Sequence, residues 1–300
     1  MIETKEEKIT EKKKENKKGF IILGVFGTVI ALLVTVAVVG AFAPEIAGSK
    51  RTNPALSWTN TNPGFYDENK NLLKKDETSL AGSFSFEEKL DSEDKKFYSI
   101  KSIEAPENAK YLVLPSLYSN IEIKEISNQE NQNIFAKSSS SDSLSEIYFK
   151  SFYFRIGTNA LRSITVLTKV SFASTTSTRQ TLGSYSLAEN PSLKVVNFSS
   201  TLQKLEEGVF QNDVSLEKLD FSNTLLGSIG KNSFEGTTSL SSLILPESVT
   251  TIGEYAFKGS SLKTLEYKGT KEQFAKVAKK NAFEESSLTS VHCSNGIIDL

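Results

Sequence analysis

His292 and Cys293 are the only histidine and the only cysteine of the 300-residue chain, and they are adjacent. A cysteine and a histidine are the minimum for thiolate nucleophilic catalysis, and both residue types bind metals. One of each cannot form a structural zinc cluster, and a single cysteine cannot close an internal disulfide. The repeat described below places Cys293 at an inward, apolar strand position and His292 at an outward one. A buried small side chain and a solvated strand residue are therefore the expected roles. No P-loop, G-x-S-x-G, H-E-x-x-H or EF-hand pattern occurs. No catalytic residue, metal ligand or cofactor is expected, and the chain reads as a protein that is not an enzyme. Asn197-Phe198-Ser199 matches a glycosylation sequon, but Phe198 falls on an inward strand position.

What remains is a surface. Tyr148, Ser171, Asn197, Asp220, Ile244, Glu266 and His292 share one outward register. Repeat proteins use such extended faces for recognition. Tyr148, Asn197, Asp220, Ile244 and Glu266 are the expected binding residues, suited to a protein or a glycan. A nucleic acid is not expected, because its phosphates call for lysines and arginines. The formal net charge of −1 agrees.

That register comes from a repeat, L-x-x-[LIV]-x-[FLY]. It occurs as Leu144-x-x-Ile147-x-Phe149, Leu167-x-x-Val170-x-Phe172, Leu193-x-x-Val196-x-Phe198 and Leu216-x-x-Leu219-x-Phe221. It continues as Leu240-x-x-Leu243-x-Leu245, Leu262-x-x-Leu265-x-Tyr267 and Leu288-x-x-Val291-x-Cys293. The first leucines lie 23, 26, 23, 24, 22 and 26 residues apart, within the roughly 20–29 residues of leucine-rich repeats. A second column reads Ile156-Gly157, Leu182-Gly183, Leu205, Ile229-Gly230 and Ile252-Gly253. A third holds Leu161, Leu187, Phe210, Phe234 and Phe257. One such unit cannot offset its own ordering entropy, but stacked units bury a continuous core. Alternation with period two makes the start of each unit a short strand. The glycines suit tight turns between faces.

The run Leu243-Ile244-Leu245-Pro246-Glu247-Ser248-Val249-Thr250-Thr251-Ile252-Gly253-Glu254-Tyr255-Ala256-Phe257 resembles the consensus of the BspA-like leucine-rich-repeat family of bacterial surface proteins. Val113 to Asn120 resembles the L-P-x-x-Y-N-G opening of such arrays, with Ser119-Asn120 in place of Asn-Gly. Tyr267 to Thr270 and Val291 to Gly296 resemble their closing unit. The resemblance covers residues 95–300 and weakens in the Ser/Thr-rich stretches 121–143 and 172–182. It implies surface display and adhesion, or recognition of a protein or glycan. An envelope scaffold that organises partners of the same cell is the alternative.

The expected fold is a mainly β, right-handed leucine-rich-repeat solenoid with a short parallel sheet, preceded by one transmembrane helix. Seven strands are expected between residues 144 and 293, with an eighth at 112–114. Residues 111–300 form the repeat domain and 76–110 an N-terminal cap. A short helix over 271–281 follows from Thr270-x-x-Gln273, which has the form of a capping box.

The membrane is the other expected partner. Residues 20–43 carry no charge, and at about 1.5 Å per residue they span roughly 36 Å, enough for a bilayer core of about 30 Å. Lys12, Lys13, Lys14, Lys17 and Lys18 precede this run, which keeps the N-terminus inside the cell. Residues 1–18 read as a cytoplasmic tail, 19–43 as an anchor and 44–75 as a flexible stalk, with the C-terminal domain extracellular. A cleaved signal peptide is the competing reading, since Ala41-Phe42-Ala43 fits a small-x-small site. Both readings export the rest of the chain.

Overall fold

The structure, a computed structural model, describes residues 62–73, 83–127, 132–135, 142–150, 153, 155–173, 179–277 and 279–300. Two units separate at Thr61/Asn62, and only the second, Asn62–Leu300, contains described residues. The expected tail, the anchor, the beginning of the stalk and much of the Ser/Thr-rich stretches lie outside them.

Asn62–Leu300 is a solenoid in which the turns from Tyr111 to Ile252 each contribute a strand to a first column and a strand to a second, and the last two first-column strands have no partner in the second. The first column holds all seven expected strands: Glu146–Phe149, Lys169–Phe172, Val195–Asn197, Lys218–Asp220, Ser242–Leu245, Thr264–Tyr267 and Ser290–Cys293. Tyr111–Leu114 is the eighth, and successive members pair in parallel. The pairing stops once, between Val195–Asn197 and Lys218–Asp220, so the column is split four and four, and each half gains one antiparallel end strand to make a five-stranded sheet.

The second column was expected as an aligned row of apolar residues with no strands assigned to it, and it is a continuous parallel sheet. Its strands are Arg155–Ile156, Gln180–Leu182, Leu202–Leu205, Ser228–Ile229 and Thr251–Ile252, preceded by Ile121–Ile126. The glycines serve this closeness rather than an unusual backbone angle. A Cβ on Gly230 would lie 2.3 Å from the Glu206 carbonyl oxygen of the turn before. The left-handed backbone sits elsewhere, in two positions per turn: one at Asn159, Tyr185, Gly208, Asn232, Tyr255 and Asn281, the other four residues on at Ser163, Glu189, Asn212, Gly236, Gly259 and Glu285.

The third side is also bonded from turn to turn. Phe210 N donates to Ser233 O at 2.8 Å, Phe234 N to Ala256 O at 2.7 Å and Phe257 N to Ala282 O at 2.9 Å. Backbone polar groups next to the core are thereby paired on three sides, as burial demands. Inside, Leu144, Phe149, Leu182, Leu219, Phe221, Phe234 and Leu265 belong to one buried apolar cluster running the length of the unit.

Both ends carry antiparallel strands. Phe84–Leu90 and Lys96–Ile103 form a hairpin that continues the second column. Gly64–Tyr66, within the stretch read as a flexible stalk, instead pairs with Tyr111–Leu114 and buries Phe65. The described part of that stretch thus belongs to the folded unit. At the other end Gly296–Asp299 folds back on Ser290–Cys293. The helix is Lys271–Ala275, shorter than expected, with its capping box between Thr270 and Gln273 in place. Beyond it the chain turns back and brings buried Ala282 and partly buried Phe283 against the core. Lys279 Nζ caps the helix, donating to Phe274 O at 3.2 Å and Val277 O at 3.1 Å.

Candidate functional site

In a strand successive side chains alternate between faces, so burying Ile147, Val170, Val196, Leu219, Leu243, Leu265 and Val291 sends their followers outward. Register pairs align Tyr148, Ser171 and Asn197 across three strands. They align Asp220, Ile244, Glu266 and His292 across four more. Asn197, Asp220 and His292 are exposed, while Tyr148, Ile244 and Glu266 are half-buried. Ser171 departs from the expected exposed column. It is 6% exposed, and Asn197 Nδ2 donates to its Oγ at 2.9 Å.

The break in pairing falls between Asn197 and Asp220, in the middle of this face. A cleft of about 820 Å³ lies over it, running from the Val195–Asn197 strand across Lys218–Asp220 to Ser242 and Ile244. It joins three of the five expected binding residues, Asn197, Asp220 and Ile244, and leaves Tyr148 and Glu266 outside. Lys194, Glu217, Lys218 and Asn223 also line it, and all four are exposed. No sequence signal pointed to them, because the break follows from how two turns meet and not from any departure in the repeat.

The seam is shallow. Phe198 and Phe221, inward neighbours on its two sides, stack with centroids 4.2 Å apart and planes 23° apart. Below them Leu202–Leu205 pairs without interruption with Ser228–Ile229. The turns therefore stay in contact under the broken pairing. Asp220 Oδ1 accepts from Ser222 N at 2.7 Å, which fixes the carboxylate at the rim. Among the described residues none of Lys194, Glu217, Lys218 and Asp220 joins an ion pair. The cleft thus offers two ammonium groups and two carboxylates to whatever occupies it.

His292 and Cys293 do not form a site. Alternation sends them to opposite faces. Cys293 is partly rather than fully buried, packed against the core, and burial pushes its thiol pKa up. A raised thiol pKa disfavours the nucleophilic thiolate. Among the described residues no cluster of three or more His, Cys, Asp or Glu side chains is placed to hold a metal.

Residues 203–300 match the model of the BspA type leucine rich repeat region, in six copies. The repeats of this segment are thus of the BspA type, as the sequence suggested. A leucine rich cell surface protein from Faecalibacterium prausnitzii superposes with a TM-score of 0.51 at 18% identity, over 71% of this chain and 54% of that one. This chain therefore spans about half of that protein. A leucine rich repeat protein from T. pallidum is 21% identical, with a TM-score of 0.43, over 64% of this chain and 71% of that one. At such identity the likeness is one of fold. No curated protein matches the sequence.

Proposed function

We propose that the chain is an extracytoplasmic leucine-rich-repeat binding module, displayed on a bacterial surface, which recognises a protein or a glycan through its strand face. One observation carries this reading. Register gathers polar and apolar side chains onto one face from three strands before the break in pairing and four after it, and the cleft sits over that break. BspA-type repeats and the cell-surface character of the Faecalibacterium protein support display outside the cell. The uncharged run 20–43 behind its lysine cluster supports a single-pass anchor with the N-terminus inside. No helix among the described residues is long and apolar enough to cross a membrane, and residues 20–43 lie outside them.

The test is an array of glycans and matrix proteins probed with the full chain, followed by Tyr148→Ala, Asp220→Lys and Glu266→Lys. The expected result is capture of at least one ligand, weakened by these substitutions while thermal unfolding is unchanged. Capture that survives all three overturns the strand face as the site. Protease added to intact cells should digest residues 44–300 and spare the tail. A mature N-terminus near residue 44 would replace the anchor by a cleaved signal.

A further inference from the structure

The cleft's chemistry narrows the ligand. A partner β-strand is excluded from the seam. Admitting one would require the flanking strands to stand about twice 4.8 Å apart, yet Phe198 and Phe221 stack across it at 4.2 Å and the sheet beneath is unbroken. A ligand must therefore lie on the face and bond to side chains.

Those side chains are balanced in charge. Lys194 and Lys218 stand against Glu217 and Asp220, so a polyanion meets two carboxylates and a polycation meets two ammonium groups. Like-charge contact of this kind selects against charged partners. The remaining polar groups, Asn197 and Asn223, each present both a donor and an acceptor. Sugar hydroxyls are donors and acceptors at once, and this mixture suits them better than it suits either pole of charge. Val195, 43% exposed, and the half-buried Ile244 add aliphatic surface for the C–H face of a ring. A protein hot spot would instead want a deep desolvated pocket for an aromatic or arginine anchor, whereas Val196, Phe198 and Leu219 already pack down on the core and leave this cleft shallow. Its volume of about 820 Å³ lies within the roughly 300–1,000 Å³ of ligand pockets.

We infer that the cleft between the Val195–Asn197 and Lys218–Asp220 strands binds an uncharged oligosaccharide, an inference that rests on the strand face being the recognition surface. The experiment titrates the full chain with short neutral oligosaccharides of hexose and of N-acetylhexosamine, with heparin as the anionic probe and gelatin as the polypeptide probe. Saturable binding of a neutral series is expected, indifferent to added salt. Lys218→Ala and Asn223→Ala, both at exposed positions, should each weaken it about tenfold, the effect of losing about 1.4 kcal/mol. Lys204→Ala, on the second column, should leave it unchanged.

Neutral binding that survives both cleft substitutions overturns the site, and so does binding of heparin alone that fades with salt. Gelatin binding that depends on Tyr148 or Glu266, with no neutral sugar bound, overturns the ligand class while the strand-face reading stands. If no neutral sugar binds and no array ligand depends on the strand face, both fall.

Discussion

From Phe210 onward the third side of the coil is a row of nearly parallel phenyl rings. Phe210, Phe234, Phe257 and Phe283 stack with centroids 5.5, 5.1 and 5.3 Å apart and planes within 11° of parallel. At the same position the earlier turns carry Leu161 and Leu187, both fully buried. These turns instead carry charge on the second column. Lys89 lies 2.9 Å from Glu125, Arg155 3.6 Å from Glu125, and Arg155 3.9 Å from Glu206. On this side the later turns are held in register by stacked rings and the earlier ones by aliphatic packing, although Phe149 and Phe172 of the earlier turns stack in the first column with centroids 4.6 Å apart. Rings leave little latitude in the spacing of turns. Leucines and exposed charges tolerate more, and the insertions 121–143 and 172–182 fall among the earlier turns.

Phe234→Ala tests that contrast most severely. It removes a ring stacked on both sides, and large-to-small changes of this kind cost about 3–5 kcal/mol. Leu187→Ala in the earlier turns should cost about 2–5 kcal/mol by the same rule, and the phenylalanine change is expected to cost more. Denaturant titration of both variants measures the two losses. Equal losses would mean that the stack adds nothing beyond volume, and that the two regions differ only in composition.

The same contrast explains what was legible. Leu193-x-x-Val196-x-Phe198 and its counterparts placed every strand of the first column, because a period-two pattern of large apolar residues has few other uses. Leu205, Ile229 and Ile252 were seen as a column but not as strands, since that column offers one recurring apolar position per turn rather than an alternating pair. The left-handed positions were half legible. Asn159, Asn232 and Asn281 are residues that adopt φ > 0, but Tyr185 and Tyr255 share that column with φ of 55° and 57°, and a tyrosine signals no such angle. Tyr185 is held there by company. Its hydroxyl donates to Glu207 at 2.7 Å and Arg162 lies over its ring at 5.4 Å. The outward residues Asn197, Asp220 and Ile244 were legible singly, whereas the seam that joins them to Lys194 and Asn223 arises from pairing that no single turn encodes.

A buried polar pair crosses the boundary between the regions and sharpens the comparison. Asn190 Oδ1 accepts from Ile164 N at 2.7 Å, and its Nδ2 donates to Leu161 O at 2.9 Å and to Leu187 O. One turn later Asp213 occupies the same position. Its Oδ1 accepts from Asn190 N at 2.8 Å, while Oδ2 is buried without a partner. Burial drives the Asp213 carboxyl pKa well above its ordinary 3.8. A folded-state value above the unfolded one means that the folded chain holds the proton more tightly. The associated stability is complete below the unfolded value and is lost as pH rises through the folded one. Asp213→Asn restores an amide where the orphaned oxygen stands, and should add about 1–3 kcal/mol at neutral pH. The fall in stability above about pH 4 due to this group should vanish with it. Urea midpoints for both proteins at acid and neutral pH read both effects. A variant less stable than the parent at neutral pH would show that the carboxylate is satisfied after all.

The smallest expected effect belongs to the ion pairs of the earlier turns. Glu125 sits between Lys89 and Arg155 with its side chain 10% exposed, while the two cations are 32% and 40% exposed. Pairs open to solvent gain little, because water and salt screen them and two long side chains must be ordered; about 0.2–1 kcal/mol is usual. Arg155→Gln keeps most of the aliphatic stem over the sheet and removes only the charge, so its cost should stay at or below about 1 kcal/mol. That cost should shrink as salt is raised, because added ions shorten the reach of exposed charges. Phe234→Ala should cost the same at low and high salt, since no charge is involved. Unfolding the two variants at both salt concentrations therefore separates the regions by mechanism rather than by size of effect. A salt-insensitive loss at Arg155 would assign its role to packing of the stem. On the second column the earlier turns would then be held by apolar contact, with the charge of Arg155 adding nothing.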